Sequence, residues 1–306
     1  MMRPPSEVSD SVLFIFDRPG FERHARLRQT FDDPLAKAPK QPLTGFVTGG
    51  SSGIGKAATQ ALRDLGHRVL TCGRRPNDAD PDYRMLDLAD WTAVAAVVDS
   101  LPELDFVGLN AGGMPERFET NDAGVEMQFA SQLFGHYLLA HNLVTSGRLG
   151  PGSRIIWMSS GGMYLVRLHF DHVFENPDYD KVRTYANVKR AQVVLNEEMA
   201  RLDTFRDIGC YAMHPGWVDT PGVQTAIPGF HRLTHGRLRT PDEGADTLVW
   251  LAARSNGTAS TALSSGAFYF DREPVRTYAV PFTKESEDTR ARLLPLLHEK
   301  LAERLR

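Results

Sequence analysis

The chain has 306 residues, 42% of them hydrophobic and 24% charged, with a formal net charge of −3. That is enough apolar material for one large core, and the charge balance offers no basic stripe of the kind that holds nucleic acid. No apolar run approaches the roughly 20 residues of a membrane-crossing helix, and the run at 12–16 is too short for a signal-peptide core and is flanked by Asp10 and Asp17. A cytoplasmic protein without a membrane span is therefore expected. The two cysteines, Cys72 and Cys210, fall in separate predicted strands and read as buried, reduced thiols.

Residues 1–42 are polar and punctuated by proline, and read as an arm with one short helix near 22–30. From Leu43 onward strand and helix alternate. Strands are predicted at 45–48, 68–71, 83–86, 105–109, 154–158, 209–213 and 267–270. Helices are predicted at 56–65, 91–100, 122–145, 184–202 and 241–253. Ala57, Ala58, Ala61, Leu62 and Leu65 carry the helical spacing of the first of these, and Gly66 stops it. Such alternation without a break in composition predicts a single doubly wound α/β domain over 43–284. The tail at 285–306 reads as a separate amphipathic helix interrupted by Pro295.

The first strand of the domain runs into Thr48-Gly49-Gly50-Ser51-Ser52-Gly53-Ile54-Gly55. Glycines between a strand and a helix permit positive φ and let a pyrophosphate approach the backbone, while the helix start offers free N–H groups and partial positive charge. The same turn can also exist without a ligand. The second strand ends at Cys72-Gly73-Arg74-Arg75, about twenty residues further on, where NAD-binding chains place an acid for the ribose and arginine suits a 2′-phosphate. Gly73 stands where the acid would be, so NADP is expected ahead of NAD. Asp87-Leu88 reads either as a contact to the adenine amino group or as a helix cap. Asn110-Ala111-Gly112-Gly113 closes the fourth strand with small residues on which a ribose can lie. No metal site is expected.

Tyr185 and Lys189 are four apart and so share a helix face. An ammonium beside a phenol favours the phenolate, which predicts a Tyr185 pKa below the usual value of about 10. A phenol tuned in that way can give a proton to a carbonyl oxygen or take one from a hydroxyl. Ser160 ends the fifth strand, at the carboxyl edge of the sheet where such folds bind ligands, and can hold the same oxygen. His214-Pro215-Gly216-Trp217-Val218-Asp219-Thr220 follows the sixth strand.

Taken in this order, the glycine turn, Asn110-Ala111-Gly112, Ser160 and Tyr185-Ala186-Asn187-Val188-Lys189 resemble the short-chain dehydrogenase/reductase family over roughly 43–280. The resemblance implies a Rossmann-type doubly wound sheet, cofactor phosphates on the turn from Gly49 to Gly55, and Ser160, Tyr185 and Lys189 as the catalytic set. It also implies that Pro215, Gly216, Val218 and Thr220 frame the nicotinamide end. Ser159-Ser160-Gly161-Gly162-Met163, Gln192-Val193-Val194-Leu195 and the stretch from Met213 to Val223 resemble the member-twelve branch of that family, as does Gly20-Phe21. Gln132 stands where the family usually carries a catalytic asparagine, which helps hold a water linking the lysine to solvent. Its amide is kept and one methylene is added. His136, one turn away, reads as a packed helix residue.

Residues 161–183 and 221–238 are expected to cover the site. The second segment, with Val223, Ile227, Phe230 and Leu233, reads as an apolar lid that excludes water. The expected activity is NADP(H)-dependent interconversion of a lipophilic ketone or aldehyde and its alcohol. The alternative is a cofactor-binding protein of this fold with little turnover, acting as a redox sensor or scaffold. The expected partner is a small-molecule substrate, and the sequence leaves a homo-oligomer open.

Overall fold

A computed structural model describes residues 16–28, 41–253 and 263–306. The arm readings at 1–15 and 29–40 lie outside the described residues. Helix α1 is Arg18–Arg28, beginning earlier than the predicted 22–30. Pro19 falls in its first turn, where a missing N–H costs no helical bond.

The strands are β1 (Thr44–Thr48), β2 (Arg68–Gly73), β3 (Tyr83–Met85), β4 (Leu104–Leu109), β5 (Leu149–Met158), β6 (Gly209–Met213), β7 (Phe268–Phe270) and β8 (Glu273–Pro274). They form one sheet in the order β3-β2-β1-β4-β5-β6-β7-β8, parallel except for β8. The short antiparallel β8 has no sequence signal, being two residues long and ending on Pro274. Chain order runs outward from β1 to β3 and then returns to β4 on the other side of β1. The crevice of a doubly wound sheet opens at that reversal, at the carboxyl ends of β1 and β4.

Both faces of the sheet are covered, which is why its strands read as continuous apolar runs. Phe46, Leu70, Val107, Ile155 and Trp157 enter one buried cluster, and their neighbours Val47, Val69, Phe106, Ile156 and Met158 enter the other. That alternation is the period of two of a strand. Helices α2 (Gly53–Asp64) and α9 (Pro241–Ala253) pack together over the second cluster. The first is covered by α3 (Trp91–Val97), α5 (His136–Thr145), α6 (Lys181–Met199) and α10 (Glu287–Leu301). Cys72 and Cys210 are buried free thiols on β2 and β6, with three strands between them.

Two predicted helices differ. In place of unbroken helix over 122–145 there is a turn, then α4 (Met127–Phe129), a π-helical segment Ala130–Gly135, and α5. Glu126 sets the start by accepting the N–H groups of Gln128 and Phe129 at 2.9 and 3.0 Å. The tail is neither separate nor interrupted: α10 runs through Pro295 and packs on α6, burying Leu293, Leu297 and Leu301. Burying three leucines at about 1.5–3 kcal/mol each outweighs a proline penalty of about 3 kcal/mol. Two short helices, α7 (Pro221–Ala226) and α8 (Pro228–Thr234), occupy the expected lid.

Candidate active site

The carboxyl ends of the strands bring the sequence-predicted residues to one edge. Gly49 and Gly53 take positive φ, +70° and +52°, a backbone state that glycine adopts without a side-chain clash. A Cβ on Gly55 would lie 2.3 Å from the Gly49 carbonyl oxygen, so the turn folds onto itself only with glycine there. Ser52 caps α2 in extended conformation without a side-chain cap bond, and the first turn of α2 holds no acid. The amino end of this twelve-residue helix thus keeps its positive polarity for an outside anion. A close-approach cradle ending on such a helix fits the pyrophosphate of a nicotinamide dinucleotide.

Asn110 locks this cradle to β4. Its Nδ2 donates to the Thr48 carbonyl at 2.9 Å, and the Thr48 hydroxyl accepts the N–H groups of Asn110 and Ala111 at 2.9 and 3.0 Å. His136, buried, sits on the far side of that hydroxyl, 2.9 Å away through Nε2, while its Nδ1 lies 3.1 Å from the Gln132 carbonyl. Burial and the nearby Lys189 charge push its pKa down to about 3. A neutral ring with the proton on Nδ1 satisfies both contacts, which is the packed role predicted for it.

Arg74 and Arg75 are exposed at the end of β2. A Cβ on Gly73 would lie 3.2 Å from Ser51 Oγ, so the two arginines emerge beside the glycine turn. Asp87 Oδ1 accepts the Ala89 N–H at 2.9 Å, whereas the cap of α3 is Asp90, which accepts the Ala93 N–H at 2.9 Å. The helix-cap reading of Asp87 is therefore corrected: its carboxylate closes a local turn three residues too early. Leu88 is buried, and its carbonyl lies so close to the π segment that a Cβ on Gly135 would be 2.0 Å from it.

Ser160, Tyr185 and Lys189 come together where α6 crosses the end of β5. Asp180 caps α6 by accepting the Val182 and Arg183 N–H groups, which starts the helix one turn before Tyr185. The Ser159 hydroxyl donates to the Lys189 carbonyl at 2.8 Å and Lys189 Nζ donates to the Met158 carbonyl at 2.9 Å, pinning helix to strand. The Tyr185 phenol lies beside the Ser160 hydroxyl, which accepts the Gly162 N–H at 3.2 Å, and Lys189 Nζ lies 5.3 Å from the Tyr185 ring centre. The expected pKa pattern is reversed here. Burial pushes the Tyr185 phenol up, with the neighbouring Ser160 hydroxyl opposing it, and burial pushes Lys189 down to about 7. Desolvation of the charged form is the largest cause of both shifts.

Gln132 stands in the π segment with its Nε2 donating to the Gly113 carbonyl at 2.7 Å. Its own carbonyl accepts Gln192 Nε2 at 2.8 Å. Its Oε1 is buried and has no protein partner among the described residues. The extra methylene thus carries the amide to the turn after β4, a placement that only the fold shows.

Gly216 has φ +79°, and Val218 pairs with Arg239 in a short bridge. Thr220 caps α7 by accepting the Val223 N–H at 3.2 Å, and its methyl would meet a Cβ on Gly53 at 3.5 Å. The start of the lid therefore rests on the glycine turn. Trp217 stacks edge-on against Phe230 of α8, with ring centres 5.3 Å apart. No side chain of α8 is fully buried. Phe16, from the arm, packs behind Trp217, a neighbour that the short apolar run at 12–16 did not signal. No helix among the described residues is long and apolar enough to cross a membrane.

This sheet, its switch-point cradle and the residues gathered there define a nucleotide-binding α/β fold. Residues 44–228 match the short chain dehydrogenase family, and the chain belongs to the short-chain dehydrogenase/reductase family. It is accordingly an NAD(P)-dependent oxidoreductase acting on CH–OH or C=O groups. It is 36% identical to the Bos taurus protein named dehydrogenase/reductase SDR family member 12, over 85% of this chain and 86% of that one. The resemblance to the member-twelve branch is thus borne out. Retinol dehydrogenase 14 of Homo sapiens is 28% identical over 76% of this chain and 79% of its own. In fold the chain is similar to a crystal structure from Mycobacterium paratuberculosis, with a TM-score of 0.69 at 22% identity, covering 88% of this chain and 97% of that one. A structure from Beutenbergia cavernae with bound NADP has a TM-score of 0.56 at 22% identity, covering 72% and 92%.

Proposed function

We propose that this protein interconverts a lipophilic ketone or aldehyde and its alcohol, with NADP(H) as cofactor and Tyr185 as acid/base. The observation that carries the reading is the Tyr185 phenol gathered with Ser160 and Lys189 on the same sheet edge as the glycine cradle. When bound, the cofactor supplies the hydride. Thr48, Gly49, Ser51, Ser52, Gly53, Ile54 and Gly55 hold its phosphates. Arg74 and Arg75 meet the 2′-phosphate, and Asp87 and Leu88 meet the adenine. Asn110, Ala111 and Gly112 lie along the ribose, with Tyr185 and Lys189 beyond them. Pro215, Gly216, Val218 and Thr220 frame the nicotinamide.

Ser160 orients the substrate oxygen and Tyr185 gives it a proton or takes one. Lys189 assists the phenol. Trp217, Ile227, Phe230 and the exposed Leu233 make the lid side apolar, which supports a lipophilic substrate. The name of the retinol dehydrogenase relative supports the same class. The lid's shallow packing suits a segment that opens for the substrate and closes to exclude water.

Cofactor oxidation measured by absorbance against a panel of hydrophobic ketones and aldehydes tests the reading. NADPH consumption with at least one apolar carbonyl compound is expected. Tight NADPH binding with no turnover across the panel would favour a redox sensor or scaffold instead.

Gln132 sits beside this chemistry without touching the reacting atoms. Its free Oε1 can accept from a water and its Nε2 holds the turn at Gly113. Gln132→Asn is expected to keep or raise the rate. Gln132→Leu is expected to lower it, by the loss of the polar link and of the Gly113 bond. Equal rates for Gln132→Leu and the unmodified protein across the pH range would exclude Gln132 from proton relay.

A further inference from the structure

Phe16 and Asp17 belong to the arm before α1, yet they are 5% and 1% exposed. The Phe16 ring lies between the loop after β5 and the loop after β6. Its centre is 4.5 Å from His214 and 5.2 Å from Phe270, both edge-on, and 6.3 Å from Trp217. A Cβ on Gly161 would be 2.7 Å from this ring, so the residue after Ser160 is glycine where the arm presses against it. The backbone engages as well. The Phe16 carbonyl accepts the Trp217 N–H at 2.7 Å, and a Cβ on Gly216 would lie 2.7 Å from the same oxygen.

Asp17 ties this contact to the lid. Its carbonyl accepts Arg239 Nε at 3.2 Å, and its carboxylate accepts Arg237 Nε at 2.9 Å and the Gly20 N–H at 3.0 Å. Arg237 lies just beyond α8, and Arg239 pairs with Asp271 at 2.6 Å. Asp271 in turn lies 2.6 Å from His24 of α1. The arm is therefore held on both sides of the lid, to Trp217 before it and to Arg237 and Arg239 at its far end.

We propose that Phe16, held by Asp17, is a positioning residue for the nicotinamide end of the site: the arm fixes Gly161 behind Ser160 and the turn at Pro215, Gly216 and Trp217. The proposal rests on the reading that this turn frames the nicotinamide. Phe16 touches no residue of the glycine cradle in the contacts above, so its loss affects one half of the cofactor site only. Phe16→Ala opens a space between the two loops and frees both. Phe16→Leu keeps most of the volume and serves as the conservative variant.

The test is binding of NADPH and of its nicotinamide-free analogue 2′-phospho-ADP-ribose, by calorimetry, to the full chain and both variants. NADH and ADP-ribose form a parallel pair. Phe16→Ala is expected to weaken NADPH binding by about tenfold or more and to leave the analogue within about twofold, with Phe16→Leu between the two. Should Phe16→Ala not fold, the same split is read from Phe16→Leu against the unmodified protein. Variants that bind both ligands as the unmodified protein does, or that lose both equally, overturn the proposal. Failure of the unmodified protein to bind either dinucleotide overturns the cofactor-site reading, and this proposal with it.

Discussion

Replacing Tyr185 by phenylalanine is expected to lower turnover by about 10²–10⁴-fold, the usual contribution of a positioned acid/base. The ring stays, so packing at the start of α6 is kept, and Ser160 and Lys189 keep their places. NADPH affinity is expected to change little, because the phenol oxygen is not a phosphate contact. The pH dependence has a definite sign. Burial holds the Tyr185 phenol above its ordinary pKa, so at neutral pH it carries its proton. Carbonyl reduction consumes that proton and is favoured there, whereas alcohol oxidation needs the phenolate and climbs with rising pH. Steady-state rates in both directions, for both proteins, provide the check. Normal turnover by the Tyr185→Phe variant would falsify the acid/base role.

The second large effect concerns the cofactor. A charge-assisted hydrogen bond contributes about 1.5–3 kcal/mol, or roughly ten- to a hundredfold in affinity. Arg74→Ala is therefore expected to weaken NADPH binding by about that factor and to leave NADH nearly unaffected. Arg74 and Arg75 are exposed and emerge beside Ser51 of the glycine turn, the position where a 2′-phosphate would project. Fluorescence titration with both reduced cofactors measures the effect. Equal affinity of the unmodified protein for NADPH and NADH would remove the argument for NADP preference.

Much of the strand and helix order is legible in the residues, because both faces of a parallel sheet are buried. A run such as Phe46-Val47 is apolar throughout, and its alternation into two cores follows from strand geometry. The glycine turn is legible for a related reason: where positive φ and close backbone approach are needed, the residue type announces the shape. The lysine one turn after Tyr185 follows from the period of a helix. The π segment at Ala130–Gly135 has no such mark, since one glycine among helix-compatible residues does not specify a change of helical period. Pro295 marks a break that the packing of three leucines overrides.

The sequence by itself determined the doubly wound class, the family, and which side chains reach the carboxyl edge. These depend on local periods and on backbone states that few residue types allow. Tertiary structure decided the rest. It placed the Gln132 amide on Gly113, reversed the expected pKa order of Tyr185 and Lys189 through burial, and brought Phe16 from the arm against the loops after β5 and β6. Each of these depends on desolvation or on contacts between residues far apart in the chain. No local pattern encodes a distance that only the folded sheet creates.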